Sequence, residues 1–212
     1  MRDAFHKELE ALDQEIVRMG ALVEQSTREA TTALLECDGA LAQRVMGNDD
    51  EIDRMFMDIE RRSLSLVAQQ APVAGDLRLI VAILRVVNDL ERAGDLAYNI
   101  AKMARLEDFC QSGLKGVRAL VAELGAAAAD LMGTAIDAWA SKDVTLAEDI
   151  ELRDDKLDDL DARLLANLVE LKGQESLGPA LRLALVGRYF ERIGDHAVNL
   201  GERIRYFVTG DE

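Results

Sequence analysis

Twelve residues of this chain recur at a spacing of one hundred. Glu91-Arg-Ala-Gly-Asp-Leu-Ala-Tyr-Asn-Ile-Ala-Lys102 returns as Glu191-Arg-Ile-Gly-Asp-His-Ala-Val-Asn-Leu-Gly-Glu202, without a gap and with Glu, Arg, Gly, Asp, Ala and Asn at the same places. Self-similarity of this kind means one structural unit used twice. The repeated residues are polar side chains at helical spacing, which is more than core packing alone demands.

The unit is helical. Only two prolines occur, Pro72 and Pro179, and aromatic residues are 4% of the chain, a composition that favours long helices over strands and turns. Apolar residues at Leu9, Leu12, Ile16, Met19 and Val23 step by three and four, marking one buried stripe on a first helix over 3–36. A second, carrying Ile52, Met55, Ile59 and Leu66, spans 39–70, where Ala71-Pro72 stops it. A third spans 76–106. The stretch 107–113 reads as the connector between a first unit over 1–107 and a second over 113–212. In the second unit an alanine-rich helix covers 114–140. A break at 141–143, with Ser141 as cap, leads into a fifth helix that reaches 171. A loop over 172–179 precedes a sixth helix that ends near 208. Helices of about 30 residues are roughly 45 Å long, and short loops force neighbours antiparallel. The predicted fold is all-α: two tandem three-helix bundles, six long antiparallel helices related by internal duplication, packed side by side.

Composition also excludes. A net charge of −15 repels phosphate backbones, so direct nucleic-acid binding is not expected, whereas cations are attracted. Cys37 and Cys110 are isolated, show no metal-ligand spacing and read as small buried or semi-buried residues in a reducing compartment. The N-terminus lacks an apolar signal core, and Leu79-Ile-Val-Ala-Ile-Leu84 is far too short to span a bilayer. A soluble, cytoplasmic protein is expected. No phosphate loop and no nucleophile-base pairing is present. Trp139 reads as core or inter-bundle packing, and His6 carries no assignment.

The repeated acids carry the functional signal. Residues four apart share a helix face, so Glu91 points with Asp95 and Glu191 with Asp195. Asn88 and Asn99 extend the first line; Arg188 and Asn199 extend the second. A similar pair stands on the second helix, Asp49 with Asp53, and on the fifth, Asp154 with Asp158. Like charges at this spacing destabilise an isolated helix by about 0.2–0.5 kcal/mol, which asks for a compensating cation. Hard cations such as Mg²⁺, Ca²⁺ or Mn²⁺, and iron, take carboxylate oxygens. Two related metal sites, one per half, are therefore expected. The alternatives are solvated acidic faces and neutralisation by arginine: Arg92 and Arg192 sit beside the pairs, and Arg78, Arg85 and Arg92 form a stripe suited to salt-bridging a neighbouring helix. A carboxylate-bridged di-metal enzyme or metal store is a further alternative, weakened because neither signature contains the Glu-x-x-His pair of such bundles. Gly94 and Gly194, each costing about 1 kcal/mol in a helix, predict close approach of another helix. His196 has Leu96 as its counterpart, which argues for a structural or surface role.

Residues 87–100 and 188–200 together resemble the paired signatures of the PhoU family of phosphate-signalling regulators, and the opening Phe5-His-Lys-Glu-Leu and Asp76-Leu-Arg78 resemble it as well. The resemblance covers essentially the whole chain. It implies a cytoplasmic, dimer-forming protein without catalytic activity that represses the phosphate-starvation response. Its implied partners are the ATPase subunit of the phosphate ABC transporter and a sensor histidine kinase, with membrane association only through them. It implies iron, zinc, magnesium or manganese on Asp49, Asp53, Glu91, Asp95, Asp154, Asp158, Glu191 and Asp195.

Overall fold

A computed structural model describes residues 2–70, 72–105, 115–170 and 177–210. Six helices follow one another: α1 (Arg2–Glu36), α2 (Gly39–Gln70), α3 (Ala74–Met103), α4 (Lys115–Ser141), α5 (Val144–Val169) and α6 (Leu177–Thr209), with no strand among the described residues. The expected connector over 107–113, and with it the boundary between the two units, lies outside the described residues. So does most of the expected 172–179 loop. Its last three residues, Leu177, Gly178 and Pro179, are instead the first turn of α6, where a proline is tolerated because the opening N–H groups of a helix have no partner within it.

Within each unit consecutive helices pack on one another and the third returns to the first or second: α1, α2 and α3 in the first, α4, α5 and α6 in the second. The units join along two antiparallel seams, α1 against α4 and α3 against α6. Small residues let the first seam close. A methyl group added at Gly20 would lie 2.0 Å from Ile136 Cδ1, and one at Gly125 2.3 Å from Thr31 Oγ1. Arg28, bridging Glu24 on its own helix to Asp130 on α4, ties the same seam at 2.8 and 2.7 Å. The predicted stripe is buried: Leu12, Ile16, Met19 and Val23 have no exposed surface, and they belong to one apolar cluster drawn from all six helices. Burying each such side chain is worth about 1.5–3 kcal/mol. Gly116–Ser141 in α4 is apolar enough to pass for a membrane span, but 56% of it is buried against the rest of the molecule, as befits a central core helix.

The joints between first and second helices are built alike. Cys37 and Lys142 both take φ of 57°. The following N–H groups, of Asp38 and Asp143, reach back to the carbonyls of Ala33 and Ala138, the Schellman ending of a helix. Each Asp then caps the next helix: Asp38 accepts from Ala40 and Leu41, Asp143 from Thr145 and Leu146. Ser141 is thus not the cap of α5. Its hydroxyl donates to the Asp137 carbonyl in the last turn of α4. Lys142 also closes over Trp139 and Phe207, 4.8 and 5.0 Å from their ring centres, and pairs with Asp13 at 2.6 Å. Trp139, fully buried, is therefore core. Cys37 is half-buried, as expected, but disulfide-bonded, which removes cysteine usage as an argument for a reducing compartment. Cys110 lies outside the described residues.

The copies differ in one length. Past its second acid α2 runs from Asp53 to Gln70, while α5 runs from Asp158 only to Val169. The difference is six residues, about 9 Å of helix.

Candidate metal centres

Helix α3 buries Leu90, Ala93, Gly94 and Ala97 against its neighbours, and α6 buries Phe190, Ile193, Gly194 and Ala197 in the same register. The burial pattern over 91–100 repeats residue for residue over 191–200. In each copy the Glu is half-buried and the Asp one turn on is exposed. The second helix of each unit presents its own pair to this face, with Asp49 and Asp154 half-buried and Asp53 and Asp158 exposed.

Glycine sets the spacing, as the sequence predicts. A methyl at Gly194 would lie 2.4 Å from Leu157 Cδ2 and 2.6 Å from Asp154 Oδ1, and one at Gly94 2.9 Å from Ile52 Cδ1. The two helices of each pair are pressed together beside the acids.

The eight predicted acids form two clusters, and within each the charges feel one another. Burial raises the Asp49 carboxyl to about 6, and the charges of Asp95, Asp53, Asp50 and Glu91 push the same way. Burial likewise raises Asp154 to about 6, assisted by Asp158, Asp195, Glu191 and Asp155. Glu91 and Glu191 are both raised, by burial first and then by the neighbouring Asp95 or Asp195. Desolvation and like charge both disfavour the ionised form, so these clusters oppose folding at neutral pH unless something positive enters.

The copies are not identical. Arg188 forms an ion pair with Glu191, where the first copy has Asn88 turned back to the Leu84 carbonyl at 2.7 Å. Asn99 also turns to its own helix, donating to the Asp95 carbonyl at 2.8 Å, so neither asparagine extends the first acid line. Asp161 adds a carboxylate to the second cluster, within the field of Asp158 and Arg188, at a position where the first copy has Phe56. Sequence reading missed it, although Asp154, Asp158 and Asp161 step by four and three along one face. His196, 6% exposed, takes no place among the acids of its own copy. Its Nδ1 meets Asp89 Oδ1 at 2.9 Å across the α3–α6 seam, and Asn199 donates to the same oxygen at 3.0 Å. His6 lies 3.5 Å from Asp76.

The donor set suits a hard cation. Asp49 Oδ1 and its counterpart Asp154 Oδ1 are both buried without a hydrogen-bond partner, as are Glu191 Oε2 and Asp161 Oδ1. Oxygens stripped of water are expensive to leave unpaired, and the same orphan at the same place in both copies marks each cluster. No three acid, histidine or cysteine side chains among the described residues are arranged to hold an ion as they stand.

Fold and site together define a class: a duplicated all-α bundle protein with one carboxylate cluster per copy. A PhoU domain family model matches residues 16–104 and again 121–204. The chain is 34% identical over 99% of its length to phosphate-specific transport system accessory protein PhoU homolog 2 of Mycobacterium tuberculosis, 99% of which is covered. It is 35% identical over 99% to the PhoU homolog of Synechocystis, 93% of which is covered. Among solved structures it superimposes on PhoU from Pseudomonas aeruginosa with TM-score 0.92 at 33% identity, covering 98% of this chain and all of that one. With the phosphate transport system regulatory protein PhoU from Streptococcus pneumoniae the TM-score is 0.86 at 26% identity, covering 98% of each chain. The chain belongs to the PhoU family.

Proposed function

We propose that this protein regulates a phosphate-transport system as a non-catalytic adaptor in the cytoplasm, holding the phosphate-starvation response off when phosphate is plentiful. Family membership supports the phosphate role. The observation that carries the adaptor reading is the pair of equivalent carboxylate clusters, each with a buried, unpartnered Asp oxygen on the second helix of its unit. Asp49, Asp53, Glu91 and Asp95 would hold one ion or small cluster, and Asp154, Asp158, Glu191 and Asp195 the other. Magnesium, manganese and iron suit such oxygen-rich donors best; zinc, which more often takes nitrogen and sulfur, suits them less. A bound cation supplies neutralising charge, which would fasten α2 to α3 and α5 to α6. Arg188, already paired with Glu191, has to yield for the second set to close, so the two clusters differ in affinity. A homodimer that docks on the transporter ATPase and on a sensor histidine kinase through protein contacts completes the reading.

Two measurements test it. An alkaline phosphatase reporter in high phosphate is expected to be high when the gene is deleted and low when it is restored; no change with deletion would reject the regulatory role. Elemental analysis of purified protein is expected to show metal lost from the Asp154→Asn, Asp195→Asn double variant. Equal metal content would reject the second cluster as a site.

A further inference from the structure

Arg85, Arg203 and Arg205 line a cleft of about 570 Å³ where α3 meets the end of α6 and the start of α5, together with Tyr206, Glu148 and Glu202. The setting is unusual for a chain of net charge −15. Arg18, Arg28, Arg62 and Arg153 are each matched to an acid, whereas Arg85, Arg203 and Arg205 have no ion pair among the described residues, and nor does Arg78, which lies beside Gly210 just past the end of α6. Among the described residues the Arg78, Arg85 and Arg92 stripe, one of the alternatives for neutralising the acid pairs, makes no ion pair with a neighbouring helix. Instead Arg78 and Arg203 keep a buried Nε without a hydrogen-bond partner. A buried N–H given no acceptor is costly, and both side chains are only half-buried, so the rest of each fork stays open to a ligand. The duplication does not require it either, because Leu185 and Met103 stand at the positions equivalent to Arg85 and Arg203.

Guanidinium forks match the oxygens of a phosphoryl group. Glu148 and Glu202 in the same wall accept hydrogen bonds and favour hydroxyl or amino donors. The volume falls within the roughly 300–1,000 Å³ of small-molecule sites. We propose that this cleft is a binding site for a phosphoryl group, carried by a small molecule of nucleotide size whose hydroxyl or amino groups meet the two glutamates. The site shares no residue with the acid clusters, so it stands whether or not those hold metal.

Calorimetric titration of the intact protein with adenosine triphosphate, adenosine diphosphate and orthophosphate, in chelator to silence the acid clusters, tests it. A nucleotide is expected to bind, and to bind about tenfold or more weakly in Arg85→Gln and Arg203→Gln, with Arg44→Gln, far from the cleft on α2, unchanged. Arginine-dependent binding of orthophosphate alone also supports the phosphoryl site and names free phosphate as its ligand. Absence of binding by all three probes, or equal affinity in wild type and the cleft variants, overturns the proposal. Should Arg203→Gln lose its helical circular dichroism, Arg203→Lys keeps the charge and is read in its place; it is expected to bind more weakly than wild type, and wild-type affinity there overturns the bidentate role.

Discussion

Gly194 shows how much a missing side chain can decide. Alanine there places a methyl 2.4 Å from Leu157 and 2.6 Å from the buried Asp154 oxygen. The overpacking is expected to cost about 1–3 kcal/mol, more than the gain of about 1 kcal/mol in helix propensity, and Gly194→Ala should lower the melting temperature. Gly47, in α2 with nothing near it, is the control: Gly47→Ala is expected to raise the melting temperature by the propensity gain alone. The acids make a second prediction. Asp49 and Asp154 sit near 6 in the folded protein, against an ordinary value of 3.8. The folded state therefore binds their protons more tightly than the unfolded chain does, and the stability this gives is lost as pH rises from about 4 through 6. In chelator, Asp49→Asn with Asp154→Asn should melt above wild type at pH 7 and close to it at pH 4; a constant offset at both would contradict the burial of these charges. The repeated acids and glycines were legible in the sequence because helical spacing converts directly into a shared face. Asp161 was not, because Phe56 occupies its counterpart and the duplication gives that carboxylate no support.

At the level of the helices, hydrophobic period and proline placement were enough to locate all six, with α2 recovered to the residue. The ends were harder. Ser141 looked like a cap by residue type, but a left-handed Lys142 lets α4 finish two residues before Asp143 takes that role. The same joint at Cys37 and Asp38 could have been found by aligning the first helices of the two copies, which are offset by 105 rather than 100. Removing either cap, Asp38→Ala or Asp143→Ala, is expected to cost about 1 kcal/mol, a fall of about 2–4 °C in melting temperature for a chain this long. Similar losses from both variants would show that the two joints are energetically, as well as geometrically, equivalent.

For the whole molecule, the two units share one core and two seams, so thermal unfolding is expected as a single transition. Asp89 is the polar keystone of the α3–α6 seam, accepting from His196 and Asn199 together. Asp89→Ala strands a buried imidazole, at a cost of about 1–3 kcal/mol, and differential scanning calorimetry should show the entire transition moving down. A split into two transitions would mean the units fold independently. Side-by-side packing followed from helix surface left over within each unit, but which helices meet did not: Asp89 and His196 have no like counterparts in the other copy, being matched by Tyr189 and Leu96.

The longer reach of α2 gives this near-symmetrical body a direction. A partner that gripped only the repeated features could accept the protein either way round. The last six residues of α2, bearing the exposed Val67, tell one end from the other by length alone, so a single surface can read orientation before any individual charge is compared.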